Sequence, residues 1–410
     1  MSPATFVSSS TPVRQVRLAR AAVAAVFLTN GALFANVVPR YPQIKAELGL
    51  SNAVLGTALA ALPLGALLAG LLAAGAIRRF RSSRVAALGI VLLAAATLTV
   101  PFAPNWVAFA AVLFVVGALD AVIDVAQNAH GLRVQRLYGR SILNSLHGVW
   151  SVGAVLGGLM GSAAAGLRVP LTVHLSVSAA LFSVVALVAY RFLLPGPDGS
   201  ERLPGTDAAH PAALSTRRPG RRVFVGVTVR MLAALGVLAA CGALVEDAGA
   251  SWGAIYLSGD LRADAATAGL AFVAFQCAMT AGRLTGDRVV DRFGQRTVAR
   301  AGGILAAAGM GAALALPFVG TTLAGFALAG LGVATLVPAA MHAADELPGL
   351  PAGTGLTIVS WLLRGGSLLS PPLVGLVADH ISLRAGLLSV VLAGATTAVL
   401  ARVLVNRAPA

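Results

Sequence analysis

Residues Trp106 to His130 read WVAFAAVLFVVGALDAVIDVAQNAH. The run is long and apolar enough to cross about 30 Å of hydrocarbon as a helix, yet it carries Asp120 and Asp124 near its middle. An acid at the centre of a spanning helix costs about 2.5–3.5 kcal/mol, so two cost about 5–7, against about 0.3–0.6 gained from each Val, Leu or Phe. A membrane helix keeps such groups where they face protein or a water-filled cavity, and that marks a functional path. Asp120, Asp124 and Asn128 fall at i, i+4 and i+8, one stripe about 12 Å long, with Gln127 beside it. Two carboxylates one turn apart cannot both ionise cheaply in a low dielectric, so they titrate as a coupled unit. That suits a proton-coupling site. The competing reading is structural: a hydrogen bond, or an ion pair with Arg133 or Arg136.

The rest of the chain has the same character. It is 58% hydrophobic and 11% charged, where soluble domains carry about a quarter charged residues. Further spans are expected near 20–41, 52–77, 85–102, 141–166, 170–193, 223–257, 265–287, 298–317, 320–343, 353–378 and 384–405, twelve in all with the opening one at 106–131. The basic N-terminus followed by an apolar run has the outline of a signal peptide, but with eleven spans behind it an uncleaved first helix is expected. The fold class is therefore an all-α integral membrane protein, with the lipid bilayer as its first partner.

The net charge of +15 comes from placement rather than from a nucleic-acid surface. With both termini in the cytoplasm, the inner segments hold 22 Lys and Arg and the outer loops five, namely Arg40, Lys45, Arg168, Arg262 and Arg384. This is the positive-inside bias, and it predicts a multi-pass protein of a bacterial inner membrane with cytoplasmic termini. No nucleic-acid partner is expected. Cys241 and Cys277 lie in apolar spans and have no metal-ligand spacing, so no metal, cofactor or disulfide is expected.

The chain also repeats itself. A shift of 213 residues lays Ser51 on Asp264, Arg79-Phe80 on Arg292-Phe293, Val85 on Val298 and Gly89 on Gly302. Ser51 and Asp264 open the second helix of each half, as N-caps do. Six spans per half in parallel repetition is the architecture of transporters that rock two bundles about a midplane site. The expected organisation is an N-terminal six-helix bundle at 1–194, a Pro- and Gly-rich cytoplasmic linker at 195–222, and a C-terminal six-helix bundle at 223–410.

After the eighth span the chain reads Gly286-Asp287-Arg288-Val289-Val290-Asp291-Arg292-Phe293-Gly294-Gln295-Arg296. This resembles the loop motif of the major facilitator superfamily, which implies twelve helices in two pseudo-symmetric bundles. The resemblance implies a cytoplasmic latch with Asp291 as its acid, Arg292 and Arg296 as partners, and Asp287 nearby. The first-half copy is degraded: Arg78 stands where the acid belongs and Arg81 where the glycine belongs. Three further runs narrow the likeness: Asp124 to Gly131, Ser141 to Gly153, and Glu246 to Leu257. Together they resemble the branch that holds fucose-permease-like and rhizopine-transport (MosC-like) proteins. That resemblance places Asp124 on the acid that takes up the coupling proton, and His147 near a sugar-contacting residue. The branch's first-helix acid has no counterpart, since only Asn30 and Asn36 lie between Ala21 and Arg40.

Other polar residues within spans complete the candidate list. Glu246 is expected to face the cavity, sharing a helix face with Gly249 and Gly253, with its neighbour Asp247 turned away. Arg364 is a lone charge near the centre of the eleventh span, placed to pair with a carboxylate or to bind an anionic group. Asn144, His147 and Trp150 share a face of the fifth span, and Trp361 holds nearly the matching place in the other half. Trp106, Trp252 and Tyr256 are expected in the interfacial belt. The expectation is a monomeric, proton-coupled transporter moving a small polar solute by alternating access. Asp124, Asp120 and Glu246 would handle protons; Asn30, Asn128, Asn144, His147, Trp150, Trp361 and Arg364 would meet substrate. The alternative is proton-antiport efflux of amphipathic compounds, and after it a non-transporting sensor. No nucleophile elbow or metal cluster points to an enzyme.

Overall fold

A computed structural model describes residues 13–196, 198, 223–347, 350 and 354–404. Of the linker expected at 195–222, only residues 195, 196 and 198 fall among these. Among the described residues, twelve helices long and apolar enough to cross a membrane follow one another. The N-terminal half holds α1 (Val13–Val37), α2 (Asn52–Gly70), α3 (Ser82–Thr97), α4 (Trp106–Tyr138), α5 (Leu143–Gly166) and α6 (Leu171–Tyr190). The C-terminal half holds α7 (Val223–Ser251), α8 (Ala265–Phe293), α9 (Gln295–Ala315), α10 (Val319–Val333), α11 (Thr354–His380) and α12 (Leu383–Leu400). Short helical pieces extend several of them, as Leu336–Asp345 extends α10.

The repeat read from the sequence is visible in the backbone. Ser51 Oγ accepts from the Val54 amide at the start of α2, and Asp264 accepts from Ala266 and Thr267 at the start of α8. At the basic turns, Gly294 has φ 79° and ψ 151°, while Arg81, 213 residues earlier, has φ 72° and ψ 146°. That region of backbone space belongs to glycine. The first-half turn therefore keeps the repeat's geometry with a residue poorly suited to it.

The seventh span departs from expectation. Instead of one helix over 223–257, α7 stops at Ser251 and a separate helix runs Gly253–Gly259. Gly249 and Gly253 sit against α8 and α10: a Cβ at Gly249 would stand 2.6 Å from the Phe275 ring, and one at Gly253 would stand 2.8 Å from Ala271. The break lies in this close approach, and it turns Trp252 and Tyr256 inward. Both are buried in the core rather than in the interfacial belt, whereas Trp106 is exposed.

Glycines of α5 serve the packing of α1. A Cβ at Gly153 or Gly157 would collide with the carbonyl oxygens of Leu28 and Ala32. Close backbone approach of this kind substitutes for hydrophobic driving force within lipid. It also carries α1 polar groups up against α5, which sets the geometry of the site.

Candidate functional site

A cavity of about 750 Å³ lies between the halves. One wall is α5, with Asn144, His147 and Trp150; the other is formed by α7 and α8, with Glu246, Asp247 and Arg283. Asp287 and His342 line it toward the arginine-rich ends of the helices. Arg283 donates to Glu246 at 2.7 Å. Ser367 of α11 borders the cavity together with Asp247, whose Oδ2 is buried and has no partner among the described residues. Glu246 and Asp247 thus both border the cavity, contrary to the expectation that only one could. Neighbours on a helix differ by about 100°, and a wide cavity exposes a broader sector than that. The glycines on the Glu246 face receive α8 rather than a ligand.

Behind the α5 wall runs a chain of three side chains. The Trp150 indole N–H donates to Asn30 Oδ1 at 2.7 Å, and Asn30 Nδ2 donates to Asp120 Oδ1 at 2.8 Å. Asn30 is 1% exposed. Asp120 lies at the end of a narrow, mostly apolar slot between α1, α2, α3 and α4, lined by Leu33, Leu62, Leu93 and Leu113 among others. The chain connects this half-buried acid to the cavity.

Asp124 is placed differently from the sequence reading. It is exposed on α4 and accepts from its own helix: Asn128 at 3.0 Å and Gln127 at 3.3 Å. Neither Asp124 nor Asn128 lines the cavity. The i, i+4 stripe diverges because each step of four turns a helix by about 40° beyond a full circle; Asp120 meets α1, and Asp124 lies past it. The competing ion pair with Arg133 is absent too, as Arg133 donates to Asp198 at 3.0 Å. On α11 the lining residues are Leu363 and Ser367. Arg364 and Trp361 point elsewhere and are exposed, being about 100° and 160° around the helix from Leu363. Arg283 escaped the sequence reading, although the rule that singled out Arg364, a lone charge within a span, applies to it equally.

The two ends of the cavity contrast. Away from the arginine-rich side, α2 packs on α11 and α5 on α8 in antiparallel pairs. There Asp379, near the end of α11, accepts from the backbone amides of Asn52 at 2.9 Å and Ala53 at 2.8 Å. A carboxylate of one half thus caps the first turn of a helix of the other, where unpaired N–H groups and the helix dipole favour it. Gly375 abuts the Asn52 carbonyl in the same contact. At the arginine-rich side Asn144, Asp287 and Gln295 border an opening.

Two bundles of six helices, open at one end around a polar cavity and clamped at the other, suit a carrier. The profile of the Major Facilitator Superfamily matches residues 23–246 and 237–410. The chain belongs to that superfamily. It is a secondary active transporter and not an enzyme. An uncharacterised transporter of Sinorhizobium fredii is 31% identical over 387 residues, 93% of this chain and 97% of that protein. The membrane protein MosC of Rhizobium meliloti is 31% identical over 382 residues, covering 93% and 89%. Among solved structures, the nucleoside transporter NupG superposes with a TM-score of 0.70 at 13% identity, covering 95% of this chain and 97% of that one.

The latch expected of this facilitator is not formed here. Asp291 makes no hydrogen bond or ion pair among the described residues, and it is exposed. Arg292 lies over the ring of its neighbour Phe293, and Arg296 donates to the Leu404 carbonyl at 2.9 Å. With the bundle ends apart on this side, the acid has nothing of the other half to meet. In the first half, where Arg78 replaces the acid, a carboxylate arrives from elsewhere. Asp198, just past α6, accepts from the Ser82 amide and hydroxyl and from Arg133 at the start of α3. Burial works to raise the Asp198 carboxyl, but the Ser82 hydrogen bonds and the Arg133 guanidinium outweigh it and hold the group below the usual range.

Proposed function

We propose that this facilitator moves a small polar, sugar-like solute across a bacterial inner membrane, coupled to protons, by alternating access. The observation that carries this reading is the Asp120–Asn30–Trp150 chain, which runs from a half-buried acid within a span to the wall of a polar cavity between two bundles. Asp120 takes the coupling proton. Asn144, His147 and Trp150 present hydrogen-bonding and aromatic surface to the solute, opposite the Glu246–Arg283 pair and Asp247. A pair that is about a third exposed contributes little to stability but leaves two charged groups free to be re-partnered by a polyhydroxylated ligand.

The arginine-rich end faces the cytoplasm in this reading, so the cavity opens inward and the Asp379 clamp closes the outer side. Asp287 and Asp291 with Arg292 and Arg296 form the inner latch only when the bundles rock the other way. Asp124, Asn128, Trp361 and Arg364 stand off the cavity lining. The likeness of the sequence to fucose-permease-like and MosC-like proteins supports a polar solute.

The test is transport by purified protein in liposomes. A panel of sugars, polyols and nucleosides is screened by thermal shift, and each hit is offered with and without an imposed pH gradient. The expected result is gradient-driven accumulation of at least one polar hit that collapses when a protonophore is added. Binding without flux, or flux indifferent to the gradient, would overturn the proposal.

A further inference from the structure

We infer that Asn30 is a positioning residue whose side-chain amide reports the charge of Asp120 to the cavity wall through Trp150. This rests on the proton-coupled reading above.

The orientation of the amide is fixed by its partners. An indole N–H can only donate, so the Asn30 atom that faces Trp150 at 2.7 Å is the carbonyl oxygen. The amide NH₂ therefore faces Asp120 at 2.8 Å, and an ionised carboxylate, which can only accept, matches it. The chain is consistent in one sense: Trp150 donates to Asn30, and Asn30 donates to Asp120.

Protonation breaks that consistency. When a proton adds to the Asp120 carboxylate, the acid gains an O–H donor and loses its charge. In the apolar slot a donor without an acceptor costs about 1–3 kcal/mol. The other polar side chains lining the slot are Tyr41 and Thr97; the Thr97 hydroxyl donates to the Leu93 carbonyl at 2.8 Å, and neither side chain is hydrogen-bonded to Asp120, whose side-chain partner is Asn30. Asn30 is the side chain already in contact. To accept from the new O–H, its amide turns its oxygen toward Asp120, which points the NH₂ at Trp150. Two N–H donors then face each other, and the indole loses its acceptor. Trp150 lines the cavity and stacks on Phe34 with ring centroids 6.5 Å apart. Its release reshapes the wall that the solute meets. A buried side chain that swaps its donor and acceptor ends thus carries one bit of information from acid to cavity, with no charge moving between them.

Other titratable groups must be separated from this effect. Asp120 faces Asp124 along its own helix and Tyr41 across the slot; the slot residues from α2 and α3 carry no charge. Trp150 shares α5 with His147, and Glu246 and Asp247 of α7, Arg283 and Asp287 of α8, and His342 beyond α10 face it across the cavity.

The test follows the Trp150 indole ¹⁵N–¹H resonance of the full-length protein in lipid nanodiscs as pH is varied, with the signal assigned by Trp150→Phe. In the wild type the resonance should move through one titration. That titration should vanish in Asp120→Asn and persist in His147→Gln and Asp124→Asn. Asn30→Ala should leave the indole resonance insensitive to pH and reduce gradient-driven accumulation about tenfold, the scale of one hydrogen bond to a charged group, while solute exchange at equal pH continues. If Asn30→Ala does not fold, the near-isosteric Asn30→Leu also removes both hydrogen bonds of the chain and should give the same pH-insensitive resonance and the same split between accumulation and exchange. A wild-type resonance that ignores pH, or one that still titrates in Asp120→Asn, overturns the relay. If the relay titrates as described but accumulation never depends on a pH gradient, the proton-coupled function fails and the relay stands.

Discussion

Asp120 and Asp124 are identical side chains one helical turn apart, and the fold gives them opposite settings. Asp120 is held by Asn30 of α1; Asp124 turns to Asn128 and Gln127 of its own helix. Their presence in a spanning run was legible, because the insertion cost of an acid depends only on composition and depth. Which of them meets α1 was not, since that depends on how α1 seats against α5 across Gly153 and Gly157. The resemblance ranked Asp124 first; the hydrogen bonds that lead to the cavity wall start from Asp120. Asn30, Asn144, His147, Trp150 and Glu246 were named from the sequence and border or reach the cavity, whereas Arg283 became evident only once Glu246 had a partner. A further residue-scale expectation concerns Arg81, whose φ of 72° and ψ of 146° suit glycine. Arg81→Gly should stabilise the protein by about 1 kcal/mol, the low end of what such a conformation costs. The reciprocal Gly294→Arg should destabilise it by at least as much. Thermal unfolding in one detergent reads both.

At the scale of helices, the sequence spoke most clearly through caps and spans. Ser51 and Asp264 were readable as caps because a side-chain oxygen bonding to amides two or three residues on is a local event. The Asp379 contact was not readable, because its acceptor and its donors lie 326 and 327 residues apart. An exposed carboxylate at a helix start is worth up to about 1 kcal/mol, so Asp379→Ala should shift the balance of the two access states about fivefold toward the one closed at the arginine-rich side. Distances between spin labels at the arginine-rich ends of α5 and α8 would shorten on average; an unchanged distribution would rule out a clamp. Asp198 gives a pH-dependent counterpart. Its carboxyl titrates lower in the folded protein than in the unfolded chain. The stability it contributes is therefore complete above the ordinary carboxylate range and is lost as pH falls through the depressed folded value. Asp198→Asn should lower the melting temperature at neutral pH, and the gap from wild type should close on acidification. A gap that stays constant would show that the charge is not what docks this segment.

For the molecule as a whole, twelve spans and an internal repeat follow from hydropathy and a 213-residue shift, since lipid leaves a chain few alternatives to helices. The break in α7 was not predictable, because it arises from packing on Phe275 and Ala271 rather than from a proline. The repeat also exposes a functional asymmetry. The shift sets Asp120 on Val333 and Asp124 on Val337, so the second half has no acid in the matching places. It contributes Glu246, Asp247 and Arg283 to the cavity instead. On the function proposed above, one bundle handles the proton, and the other supplies charge to the solute site. The most direct test is gradient-driven accumulation of a transported solute in liposomes by Asp120→Asn and Asp124→Asn, each set against equal-pH exchange. The account predicts that Asp120→Asn loses accumulation and keeps exchange, while Asp124→Asn keeps both. Accumulation that survives in Asp120→Asn, or is lost only in Asp124→Asn, would contradict it.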